Sequence, residues 1–409
     1  LWLNEGFATF VGEMVTDHLF PKYNVWTEFV TNDMSRAMNL DSKRSSHPIQ
    51  VFVNSAKDIP QIFDGISYSK GGSLIRMLKT FLGGDVFMNG VRSYIQEFKY
   101  KNTVTEDLWK HLAVSSGLDI PSLVRAWTRE TGYPLVSVEG EEYDADAKTL
   151  TVMLSQSRFL ASGDLAAEED SVTWWVPMTV ATHLSNGEAT KHVLNEKKGT
   201  ITFPYDASVD GAFWKLNYNA EGLYRVKYQK EQVDRIGQIL STDLDKFSVG
   251  DRILILDDAM ALTQAGVDTI GALLSLIKGL DKETDYNVLT QIQSILSKLR
   301  SYSYLEPAAT QEGLKALGRH VFSGKVAELG YEFKEGESYA VSQARGISIQ
   351  VAERSGDAQV AAELRSRFDR FVAGETDALH PEIRDKAYLS VLSNATPDNA
   401  EATFTFVLN

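Results

Sequence analysis

The hydrophobic period changes twice along this chain, at Gly132 and again near residue 229. A helix-period segment does not settle as a strand, nor a strand-period segment as a helix. The chain must therefore fold as helices, then a sheet structure, then helices again. Residues 1–131 carry apolar side chains at helical spacing. Phe7, Phe10, Val11, Met14 and Val15 mark one helix, and Leu74, Ile75, Leu78 and Phe81 mark another. VFMNGVRSYIQEF (86–98), TEDLWKHLAVSSG (105–117) and IPSLVRAWTRETG (120–132) predict three more, with Thr105 as an N-cap, Gly117 as a C-cap and Pro121 in a first turn.

From residue 132 to 228 the apolar residues alternate. Leu150, Val152 and Leu154 stand against Thr149, Thr151 and Met153, and DADAK reads as a turn between two strands. Further short strands are expected in 172–184, 200–206, 212–219 and 222–228, which together suggest a small antiparallel β-sandwich. Residues 229–409 return to helical spacing over 249–266, 269–280, 286–300, 307–322, 340–356 and 357–374. Short connections between them predict antiparallel helices stacked into a solenoid-like array.

With 409 residues, two to four domains are expected. The formal net charge of −14 argues against a general nucleic-acid binder. The absence of Cys excludes disulfides, thiolate metal sites and Cys nucleophiles. No run of 18 apolar residues is present, so no transmembrane segment is expected. The first residue is Leu rather than Met, and both ends fall in apolar stretches. The chain reads as a piece cut at both ends, with any targeting signal outside it.

The opening LWLNEGFATF places a carboxylate, Glu5, among Trp2, Leu3, Gly6, Phe7 and Ala8. A first-turn Glu favoured by the helix dipole is the plain explanation. Gly6, however, costs helix stability by about 1 kcal/mol against Ala and suits close approach of another group. A buried carboxylate also needs a cation or a metal as partner.

The segment resembles the M1-type zinc aminopeptidases, gluzincins whose Trp-Leu-Asn-Glu-Gly-Phe-Ala stretch carries the third zinc ligand. The resemblance implies that Glu5 is a metal ligand for Zn2+. The family's His-Glu-x-x-His helix, with two His ligands and the general-base Glu, then lies upstream of residue 1, as does the segment that binds the substrate's amino group. A second match is IFDGISYSKGG, where the family places a Tyr about sixty residues beyond the Glu ligand. Here it is Tyr68, sixty-three residues beyond Glu5. By resemblance, Tyr68 is catalytic and its phenol stabilises the oxyanion of the tetrahedral intermediate. Tyr68 is otherwise one of 16 tyrosines, packed at a helix start.

The resemblance runs on through TRETGYPLVSV, WKLNYNAEGLYRVKY and DRILILDDAMALTQAG, with the IFDGISYSKG form closest to the puromycin-sensitive and fungal cytosolic members. It implies residues 1–131 as the C-terminal half of a thermolysin-like catalytic domain, 132–228 as the β-sandwich and 229–409 as a truncated helical array. The implied substrates are peptides with a free N-terminus, and the implied compartment is cytoplasmic. His47 is expected to be structural and His18 to lie at the surface. Lys70 is given no chemical role, Asn4 is either an orienting partner of Glu5 or a helix-start residue, and Arg252 is expected in a structural salt bridge.

Two functional readings follow. One is a zinc aminopeptidase, with the 409 residues alone inactive for want of the upstream ligands. The other is a non-catalytic, helical-array peptide- or protein-binding relative that has lost its zinc site. Retention of Glu5 and Tyr68 favours the enzyme. The first helix is expected to be unstable, exposing Trp2, Phe7 and Phe10.

Overall fold

A computed structural model of the chain describes every residue except 54, 186, 397–399 and 409. Among the described residues seven α-helices precede the strands: α1 (Trp2–Leu19), α2 (Val25–Glu28), α3 (Ser35–Asp41), α4 (Gly71–Leu82), α5 (Gly84–Phe98), α6 (Thr105–Ser116) and α7 (Ile120–Arg129). The helix ends follow local chemistry. Gly117 closes α6 at φ 72°, and Pro121 sits in the first turn of α7, whose cap is Asp119 accepting from the Ser122 amide. The predicted cap Thr105 is displaced by one residue. Val104 is the N-cap, and the Asp107 carboxylate accepts from its amide at 2.9 Å. The Thr105 hydroxyl accepts instead from the Trp2 indole at 3.1 Å.

Helix α1 is not the exposed helix that the sequence suggests. Trp2 and Phe10 are buried, at 4% and 0% exposure. Trp2 lies 5.8 Å from the Trp109 ring, and Phe10 packs edge-on to Phe87 at 5.8 Å and against Trp26 at 5.9 Å. Only Phe7 of the three remains half-buried. The aromatic partners come from α2, α5 and α6, which lie further along the chain, and this is why the local sequence around α1 could not reveal them.

Among the described residues seven strands follow: β1 (Pro134–Asp144), β2 (Thr149–Arg158), β3 (Val176–Thr182), β4 (Thr190–Leu194), β5 (Lys198–Pro204), β6 (Trp214–Leu216) and β7 (Arg225–Lys227). They form one sheet in the order β5-β2-β1-β7 and another in the order β4-β3-β6. Asp144 accepts from the amides of Asp146 and Ala147, which builds the turn read from DADAK. Strand β2 alternates as expected, with Leu150, Val152 and Leu154 buried. The sheets meet through Phe203 and Trp214, 5.8 Å apart. The expectation of wholly antiparallel pairing fails at one edge, because β1 and β7 run parallel. A parallel neighbour is set by a long crossover connection, and no short sequence pattern announces it.

Helices α8 (Lys230–Thr242), α9 (Val249–Gln264), α10 (Ile270–Lys278), α11 (Tyr286–Tyr302), α12 (Ala308–Leu329), α13 (Tyr339–Arg354), α14 (Ala358–Val372), α15 (Pro381–Ser393) and α16 (Ala400–Leu408) complete the chain. The fold is mostly helical with small sheets. The contacts divide it into two compact units, residues 1–239 with 245–273, and residues 240–244 with 274–409.

In the first unit the DRILILDD helix α9 is locked to the last strands by buried charge. Asp251 pairs with Lys215 at 2.8 Å, and Asp257 and Asp258 both receive the Arg225 guanidinium at 2.9 Å. Arg252 is buried and donates to the Phe247 carbonyl at 2.6 Å. In the second unit each helix packs on its sequence neighbour or the next but one, around Ile292, Leu296, Phe322, Ile349 and Leu364.

Candidate active site

Glycine decides how α1 meets α4. A Cβ on Gly6 would lie 2.9 Å from both the Cα and the carbonyl carbon of Gly71, and 3.1 Å from the Gly72 amide nitrogen. The two backbones touch, so no side chain fits between them. This contact sets Glu5, beside Gly6, against the turn that leads into Gly71.

Gly6→Ala is expected to destabilise the first unit by about 1–3 kcal/mol, because the obstacle is backbone and cannot rotate away. Gly12, in the same helix, has nothing within 4 Å of its Cβ position. Gly12→Ala is expected to be neutral or to add up to about 1 kcal/mol through helix propensity. Urea unfolding of the two variants checks the pair. Equal effects would mean that the α1–α4 contact does not discriminate.

Residues 66–70 form a single π-turn, with the Tyr68 amide donating to the Asp64 carbonyl at 3.1 Å and the Lys70 amide to the Gly65 carbonyl at 2.9 Å. Such turns recur at functional positions because they widen the helix and re-aim a side chain. Four side chains tie this one down. Asp64 caps it, accepting from the Ile66 and Ser67 amides at 2.9 and 3.3 Å. The Ser67 hydroxyl donates to the Ile62 carbonyl at 2.5 Å, and the Ser69 hydroxyl to Asp33 at 2.8 Å. Lys70 is wholly buried, pairs with Asp41 at 2.7 Å and donates to the Gly132 carbonyl at 3.1 Å.

The result brings Glu5 and Tyr68 together. The Tyr68 phenol lies beside the Glu5 carboxylate, and desolvation together with that carboxylate holds the phenol above the ordinary tyrosine range. Tyr68 therefore stays a donor at neutral and mildly alkaline pH. Both side chains are half-buried and face an open surface, with the Phe63 ring 6.5 Å from Tyr68. Glu5 is less buried than its apolar neighbours suggested, because Asn4 and Ala8 point outward. Among the described residues no ion pair engages Glu5. A carboxylate beside a neutral phenol, with no cation paired to it among the described residues, suits a ligand that donates to a metal ion. The described residues include no group of three His, Cys, Asp or Glu able to hold a metal, so Glu5 fits as one ligand and the set is not completed here.

Other predicted residues fall into place. His18 is exposed. His47 bonds to Asp64 through Nε2 at 3.0 Å, a link that sequence reasoning missed because seventeen residues separate the two. Asn4 is exposed. Burial and the nearby Asp33 and Glu28 raise the Glu13 carboxyl above its usual range.

Comparison with known proteins now bears on this geometry. Residues 1–127 match the Peptidase family M1 domain, and residues 213–409 match the ERAP1-like C-terminal domain. The chain belongs to the M1 peptidase family. Aminopeptidase 2 of Candida albicans is 34% identical over all 409 residues, which cover 42% of that protein. The alanine/arginine aminopeptidase of Saccharomyces cerevisiae is 34% identical over the whole chain, covering 46% of its length. Aminopeptidase M1 of Arabidopsis thaliana is 36% identical over 406 residues, covering 97% of this chain and 45% of that protein. The chain thus spans under half the length of the M1 relatives it matches. Glu5 and Tyr68 both lie within the stretch matched by the M1 domain.

Proposed function

We propose that this chain is part of a zinc aminopeptidase that removes N-terminal residues from peptides. Glu5 is one of three protein ligands, and Tyr68 stabilises the oxyanion. The observation that carries the reading is that the fold brings the Tyr68 phenol beside the Glu5 carboxylate across sixty-three residues of sequence, near enough for that carboxylate to raise the phenol above its ordinary range. A packing tyrosine has no need of that partner. Zinc, when bound, polarises the scissile carbonyl and lowers the pKa of its water. Glu5 would hold the metal with ligands from outside the described residues. Tyr68, aimed by its π-turn, donates a hydrogen bond from its phenol O–H to the carbonyl oxygen as negative charge develops there.

On this reading the first helical segment is the C-terminal half of a thermolysin-like catalytic domain, the strands form a sandwich domain, and the following helices form a solenoid-like array. The substrates are peptides with a free N-terminus. Among the described residues no helix is long and apolar enough to cross a membrane. The cytoplasmic assignment remains part of this proposal, and one relative, in Saccharomyces cerevisiae, is named as mitochondrial.

Hydrolysis of an alanyl-arylamide tests the reading. The 409-residue polypeptide alone is expected to be inactive. The same polypeptide extended upstream by its own coding sequence, carrying a His-Glu-x-x-His segment ahead of Glu5, is expected to be active and chelator-sensitive. If the upstream coding sequence lacks either His or the Glu, or the extended protein is inert, the non-catalytic binding reading replaces this one.

A further inference from the structure

The π-turn that aims Tyr68 is anchored on its inner side by Ser67, Ser69 and Lys70, which are all buried. Its outer side, where the chain arrives, depends on Asp64. One oxygen of Asp64 is spent on the turn itself, accepting from the Ile66 and Ser67 amides. The other oxygen is held by His47 Nε2 at 3.0 Å, and His47 Nδ1 faces the Pro48 carbonyl at 2.8 Å. Both ring nitrogens are thereby engaged, and the imidazole plane is fixed. In the segment that leads from His47 round to Asp64, several apolar residues are exposed, Phe52 at 85% and Phe63 at 48%, and besides this bond the Ser67 hydroxyl and Arg129 hold it at the Ile62 carbonyl and the Gln50 side chain. Such a segment has little buried surface with which to hold its own end.

We propose that His47 is a positioning residue for Tyr68: by holding Asp64, it fixes the cap of the π-turn and so the direction of the phenol toward Glu5. The proposal rests on the reading of Tyr68 as oxyanion donor for its catalytic meaning. The bond is too exposed to matter much for global stability, with side-chain exposures of 26% for His47 and 34% for Asp64. Its effect is on geometry. A capping carboxylate that is free to swing would release two amides at the start of the turn.

The test uses the 409-residue chain, needs no activity, and therefore fails or succeeds independently of the peptidase reading. Amide hydrogen exchange is measured by NMR, together with the 19F signal of 3-fluorotyrosine placed at position 68. His47→Phe keeps a ring and removes both ring nitrogens. It is expected to speed exchange most at the amides of Ile66 and Ser67, by roughly 10- to 100-fold, while leaving α5, α6 and the sheets unchanged. The 19F line of position 68 should shift and broaden. His47→Gln, which can place its amide nitrogen where Nε2 lies, is expected to restore most of both signals. Should His47→Phe not fold, Asp64→Ala, which removes the cap itself, carries the same local expectation. The proposal is overturned if His47→Phe leaves both signals as in the parent. It is equally overturned if exchange rises uniformly over the unit, or if His47→Gln is as disturbed as His47→Phe.

Discussion

Replacing Lys70 with methionine is expected to cost the first unit roughly 3–5 kcal/mol, the largest stability effect of any single change around the site. Lys70 and Asp41 have side-chain exposures of 1% and 0%. Methionine nearly matches the volume of lysine, so packing is preserved and the loss comes from charge. Asp41 would be left as a buried carboxylate whose remaining support is the Gly132 amide at 2.9 Å and the Ser46 hydroxyl at 2.8 Å. A buried ion stripped of its counter-charge keeps its desolvation cost without the attraction that offset it. The pair also joins three places at once: the π-turn of Tyr68, the end of α3, and Gly132, where the helices give way to β1. Urea unfolding followed by tryptophan fluorescence reads the effect, and all seven Trp lie between residues 2 and 214, within the first unit. Lys70→Met with Asp41→Asn should recover part of the loss, because the stranded charge is then gone. A single variant that loses less than about 1 kcal/mol would show that the pair is not the anchor described here.

The sequence read alone assigned Lys70 no role, and the reason is instructive. A lysine on a helix is ordinarily a solvated residue, and its burial depends on Asp41 and Gly132, which local pattern cannot place beside it. The same limit explains Trp2 and Phe10, whose partners Trp109, Phe87 and Trp26 come from later helices. It explains the parallel edge of β1 and β7, and the bond between His47 and Asp64. What local pattern could carry, it carried. The helices over 84–98 and 105–116, the Gly117 and Pro121 ends, and the alternation in β2 depend on periodicity and backbone preference within a few residues. Glu5 and Tyr68 stand between these cases. Their residue types and spacing were legible through resemblance. The feature that joins them is the backbone contact of Gly6 with Gly71, of which the sequence showed only that Gly6 suits the close approach of another group.

Tyr68→Phe in the active, upstream-extended protein is expected to lower kcat by about 10²–10³-fold, equivalent to roughly 3–4 kcal/mol of transition-state stabilisation, with little change in KM. The split follows from where the charge appears. A substrate carbonyl is a weak acceptor, and its oxygen becomes a strong one only as it takes on negative charge. The phenol's contribution is therefore made in the transition state and hardly at all in the bound substrate. Phenylalanine keeps the ring against Phe63 and keeps the buried anchors Ser67, Ser69 and Lys70, so the fold is expected to survive. It removes only the donor. Exchange rates and thermal unfolding of Tyr68→Phe should match the parent, which separates loss of chemistry from loss of structure. Glu5→Gln makes a useful contrast: it keeps a partner for the phenol but is a poor metal ligand, so its defect should appear as weakened zinc binding rather than as a pure kcat loss. If Tyr68→Phe retained nearly full kcat, the phenol would be a packing group that happens to touch Glu5, and the oxyanion would have to be stabilised by another donor.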